Sequence, residues 1–140
     1  MNKSSIFIVL VWLLGCSSDG DVSPQQSRLL GKWQLAEYCL SPGDGSCPLR
    51  KVSASETQVL DFRKDGTFLE NRPQPGQSPS PVDNSGEYRL DGPNTIYFKF
   101  DPPISSASYS EVKWYYELRG NTLVLSPPCR EACRYTYRRI

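Results

Sequence analysis

Histidine is absent from the 140 residues. With it goes the side chain whose ordinary pKa allows proton transfer near neutrality, and also the commonest metal ligand. Ser-His-Asp and Cys-His nucleophilic sites, zinc hydrolase centres and imidazole shuttles are therefore excluded by composition. Net charge is scarce as well. The 16 Lys and Arg stand against 15 Asp and Glu, a balance of +1, and the basic residues are scattered. No field of one sign would gather nucleic acid. Long apolar runs are missing too: Ile6 to Leu14 is nine residues, where a spanning helix needs about 20. The expectation is a chain that is not an enzyme, takes no cofactor or metal and binds no nucleic acid.

What is present begins with an address. Met1 to Gly15 has a short polar start carrying Lys3, then the apolar run, then a small residue before Cys16. That order reads as a secretory signal peptide over residues 1–15. Leu13-Leu14-Gly15-Cys16 closely resembles the lipobox of bacterial lipoproteins. The resemblance implies cleavage before Cys16, a diacylglyceryl group on its thiol, and acyl chains such as palmitate as the anchor. The competing reading is an ordinary signal peptide with a free Cys16. Loss of residues 1–15 removes Lys3 alone among charged residues and leaves 15 basic against 15 acidic, so lipid and not charge would hold the chain at a membrane. Residues 16–27 are polar and aperiodic, as expected of a tether. Ser17 after the Cys resembles the outer-membrane sorting pattern, and Asp19 with Asp21 resembles a surface-export signal. The expected location is the cell outer membrane, lipid-anchored, on its periplasmic or its outer side.

Cys39, Cys47, Cys129 and Cys133 make an even count in an exported domain, so two disulfides are expected. Local pairing, Cys39 with Cys47 and Cys129 with Cys133, is the simplest of three connectivities. The alternative joins the two pairs across the first and last strands. A four-thiolate zinc site is disfavoured by the spacing.

From Trp33 to Tyr137 apolar and polar residues alternate in eight runs separated by turn residues. These are Lys32 to Leu40, Thr57 to Arg63, Thr67 to Asn71, Gly86 to Leu90, Thr95 to Phe100, Glu111 to Arg119, Thr122 to Ser126 and Cys133 to Arg138. A two-residue loop at Gly120-Asn121 would pair Leu118 with Leu123 and Tyr116 with Leu125. A three-residue turn at Lys64-Asp65-Gly66 would pair Phe62 with Phe68. Helix is limited to one turn over Ser27 to Gly31. The predicted fold is all-β, an eight-stranded antiparallel up-and-down barrel over residues 28–140, because closure buries one face without leaving edges.

Gly31-Lys32-Trp33 resembles the G-x-W motif of lipocalins. Together with Phe62-Arg63-Lys64-Asp65-Gly66-Thr67-Phe68, Gly120-Asn121-Thr122-Leu123 and Cys129 to Cys133, it resembles the small lipocalin-like domain lipoproteins of Bacteroidetes. The resemblance implies that Trp33 plugs one end of the barrel, with Arg134, Arg138 or Arg139 stacked on it. It departs from true lipocalins in lacking a T-D-Y-like second motif and a C-terminal helix.

Alternation turns ten of the mature chain's fourteen aromatics inward. An eight-stranded interior either packs solid or holds one small ligand. In the first case the rings are core, and the protein works through loops and exterior as an accessory subunit or an inhibitor of a lytic enzyme or protease. In the second, Tyr88, Phe98, Trp114 and Tyr116 are the candidate residues for a small hydrophobic or amphipathic ligand. An open cavity of about 300 Å³ or more discriminates the two. Arg72 to Asn84 is a long Pro-rich connection, read as a surface loop or a partner segment. Glu111 and Glu117 fall on the face opposite Trp114 and read as solvated. Tyr115, on that same outer face, is a candidate protein contact.

Overall fold

The computed structural model describes residues 22–53, 58–71, 84–101 and 111–140. The lipobox, Cys16 and most of the Pro-rich connection lie outside the described residues.

The chain enters through α1 (Pro24–Leu29), in which the Ser23 hydroxyl accepts from the Gln26 amide at 3.1 Å and Pro24 occupies the first turn, where its missing N–H costs nothing. The helix begins before the turn expected at Ser27 and takes in the last residues assigned to the tether. Its Leu29 is buried in the core.

Nine strands follow among the described residues: β1 (Gly31–Leu40), β2 (Arg50–Lys51), β3 (Val59–Phe62), β4 (Thr67–Glu70), β5 (Asn84–Asp91), β6 (Thr95–Asp101), β7 (Val112–Arg119), β8 (Thr122–Ser126) and β9 (Cys133–Arg139). Each long strand pairs antiparallel with the next, and β1 also pairs with β9, which closes an eight-stranded up-and-down barrel. The ninth strand, β2, has no counterpart among the eight alternating runs. Its two exposed residues pair with Glu37 and Tyr38 on the part of β1 that β3 does not reach.

Both predicted registers are present. Leu118 faces Leu123, Tyr116 faces Leu125 and Phe62 faces Phe68. Simple alternation fails in β1, where a register shift between Leu35 and Glu37 adds one residue. Such a bulge reverses the phase of the residues beyond it: Tyr38 and Leu40 pack against the core beside Trp33 and Leu35. Cys39 is left under the loop after β1, held there by its disulfide.

At Gly86 the strands β5 and β6 approach closely. A Cβ there would lie 1.9 Å from the Lys99 carbonyl oxygen, so the β5–β6 approach needs glycine.

Candidate functional site

One end of the barrel is closed. Trp33 is fully buried, donates from Nε1 to the Leu29 carbonyl at 2.7 Å, and lies 4.2 Å beneath the Arg139 guanidinium. Arg139 also donates to the Leu30 carbonyl at 2.6 Å and to that of Arg28. Of the three arginines open to this role, the last strand places Arg139 over the plug. It caps carbonyls at the end of α1 that the helix cannot satisfy itself.

The opposite, mouth-side end carries both disulfides. Cys39 joins Cys47 and Cys129 joins Cys133, the local pairing. They are neighbours across the β1–β9 seam, since Leu40 pairs with Cys133.

The four candidate ligand residues are separated by the fold. Tyr88 and Tyr116 lie toward the plug. The Tyr88 hydroxyl donates to the Arg63 carbonyl at 3.0 Å, and Tyr116 feels the charge of Arg28. Burial raises the pKa of both phenols. Both therefore lie near α1, Tyr88 beside Gln26 and Tyr116 beside Arg28. Phe98 and Trp114 do meet, edge to face, with centroids 5.1 Å apart. They belong to a continuous ring cluster in which Phe62 meets Tyr88 at 4.9 Å, Phe68 meets Phe98 at 5.0 Å and Trp114 stacks on Tyr135 at 6.5 Å. Such offset contacts are favourable between aromatic quadrupoles.

Between these rings lies a cavity of about 10 Å³, lined by Leu60, Phe68, Glu70, Phe98, Phe100, Trp114, Leu125 and Tyr137. That is room for about one water molecule. A larger concavity of about 650 Å³ lies along β4, β5 and β6, lined by Arg63, Asp65, Leu69, Gly86, Glu87 and Lys99 together with Phe68 and Phe100.

The inward polar group is not foreseen by the alternation pattern as read above. Glu70, Gln58 and Thr95 are buried. Glu70 accepts from Gln58 Nε2 through one carboxyl oxygen and from Asn84 Nδ2 at 2.7 Å through the other. Removal from water pushes the Glu70 pKa up to about 7, against the pull of both amides. Burial, with Glu70 nearby, raises Tyr135 to about 12 and Tyr137 further. A signal for it exists in the sequence: if Phe68 points inward, so does Glu70 two residues on.

The remaining acidic residues read as solvated do stand outside. Glu111 pairs with Arg89 at 2.8 Å and Glu117 with Arg119 at 2.6 Å. Among the described residues no cluster of acidic or sulfur ligands could hold a metal ion.

No protein-family model matches the chain, and no curated protein does. An uncharacterized protein from Bacteroides eggerthii DSM 20697 superposes with TM-score 0.50 at 25% identity, over 79% of this chain and 98% of that one. A point mutant of the fluorescent protein UnaG superposes at 0.45 with 15% identity, over 81% of this chain and 97% of that one. The first agrees with the barrel read from strand pairing; the second is too remote to add to it.

Proposed function

We propose that the chain is a lipid-anchored cell-envelope protein of lipocalin-like type that binds a protein partner through its outer surface, around an interior filled by its own side chains. The observation that carries this reading is the interior volume. The cavity that Leu60, Phe98 and Trp114 line holds about 10 Å³, whereas small-molecule sites occupy about 300–1,000 Å³. Phe98 and Trp114 touch each other and leave no slot between them.

Anchoring rests on the lipobox resemblance at Leu13-Leu14-Gly15-Cys16, which points to the outer membrane. The likeness to a Bacteroides protein supports the Bacteroidetes type. A role without catalysis rests on the missing His. On the outer face Tyr115 is 54% exposed, with the Lys113 ammonium 5.1 Å from its ring centre. On the neighbouring strand Arg89 lies 3.8 Å over Tyr97. Tyr and Arg are enriched among residues that dominate protein contacts.

A second reading, a barrel holding a small hydrophobic or amphipathic ligand, is favoured by the Glu70 group facing Phe98 and Trp114. Calorimetric and fluorescence titration with a fatty acid and a hydrophobic dye separates the two. The filled barrel predicts no saturable one-to-one binding. Stoichiometric uptake that quenches tryptophan emission would overturn it in favour of the carrier.

A further inference from the structure

Among the described residues, a chain of buried polar side chains lies at the mouth-side ends of three strands. Glu70 is the last residue of β4, Asn84 is the first of β5, and Gln58 immediately precedes β3. Both carboxyl oxygens of Glu70 accept from amides, one from Gln58 and one from Asn84. Beyond them Gln58 Oε1 and the Tyr137 hydroxyl are buried without a hydrogen-bond partner, and Gln58 is the side chain that faces this hydroxyl. Leu60 of β3, Phe68 of β4, Phe98 and Phe100 of β6, Trp114 of β7 and Leu125 of β8 complete the surround. The ionisable groups facing Glu70 are Tyr137 and Tyr135 of β9, with Tyr38 of β1 behind Tyr135. Among the described residues no Lys or Arg acts on it.

Two arrangements are open to this chain, because an amide can turn over and a hydroxyl can rotate. With Glu70 ionised, Gln58 Nε2 donates to the carboxylate and the Tyr137 O–H turns to Gln58 Oε1. With a proton on Glu70 the polarity reverses: the carboxyl O–H donates to Gln58 Oε1, and Gln58 Nε2 donates to the Tyr137 oxygen. The first arrangement strands an anion among aromatic rings with no cation among the described residues to meet it. The second leaves no charge in the apolar interior, which favours it over a buried anion, and its one loss is the Tyr137 O–H, which finds no acceptor among the described residues.

We propose that Glu70, Gln58 and Tyr137 form a proton-operated clasp: a neutral Glu70 holds the mouth-side ends of β3, β4 and β5 together, and removal of its proton loosens them. The raised proton affinity of Glu70 places this change near neutrality. The strand ends are where it would be felt. Asn71, next to Glu70, donates its amide to the Val59 carbonyl at 3.1 Å and accepts from the Val59 amide through its side chain at 2.6 Å. Terminal pairs of this kind open at lower cost than central ones.

Amide hydrogen exchange followed by NMR, corrected for the intrinsic rate, tests the clasp. From about pH 5 to about pH 8 the opening equilibrium at Leu69, Asn71 and Ser85 should rise about ten- to a hundredfold and then level off. Leu123 and Leu125 in β8 should change far less. The variant Glu70→Gln, similar in shape and without charge, should abolish the pH dependence. Should that variant fail to fold, the carbon-13 carboxyl titration of Glu70 in the native protein decides. A midpoint near 7 supports the clasp. An ordinary carboxyl midpoint, or mouth-side exchange that ignores pH, overturns it.

Discussion

Trp114→Ala removes an indole that Phe98 meets at 5.1 Å and Tyr135 at 6.5 Å. In a filled core the loss should destabilise the protein by about 3–5 kcal/mol, because the neighbours collapse only partly into the space. Chemical denaturation measures this, and a loss below about 1 kcal/mol would mean that the ring lines empty space. Glu70 makes a second prediction at the same scale. Its folded pKa, about 7, lies above the reference 4.5, so the folded state holds this proton more tightly than the unfolded one. The contribution to stability is full below the reference value and is lost as pH rises through about 7. The shift corresponds to about 3 kcal/mol. Denaturation curves across that range should show the decline, and Glu70→Gln should flatten it.

At the scale of elements, the turns carried the most legible information. Gly120-Asn121 and Lys64-Asp65-Gly66 set both hairpin registers, because loop length and turn type fix which residues face each other. Three features were not legible, for different reasons. The bulge in β1 depends on β9 pairing at the far end of the chain, which no local pattern carries. The two residues of β2 bury no apolar face and so leave no alternation. The inward Glu70 was concealed by its polarity, since a carboxylate at a core position reads as solvent-facing until its strand phase is traced. The disulfides give a prediction at this scale. Chain-entropy arguments give about 2–3 kcal/mol for each of these short loops. Replacing Cys39 and Cys47 together by Ala should cost more than the same change at Cys129 and Cys133, because the former pair closes eight positions and the latter four. Equal or reversed losses in thermal unfolding would show that loop closure does not set the difference.

For the whole molecule, the sequence pattern specified the barrel, but whether it was hollow was not legible in the pattern. Trp33, Phe62, Phe98, Trp114 and Tyr137 read as inward whether they touch or stand apart, since alternation fixes direction and leaves distance open. Among the described residues the rings pack against one another around a water-sized void, which supports the filled reading. The proposed anchor belongs to the scale of the whole protein. Cys16→Ser should release it from the membrane fraction or block its maturation, and unchanged membrane association would refute lipidation at that residue. Native mass spectrometry of the protein extracted from membranes tests the central claim most directly. The account predicts one species: a chain beginning at lipidated Cys16, with two disulfides and no further mass. A small hydrophobic molecule retained one-to-one through desalting would contradict the filled barrel and make the interior the working part.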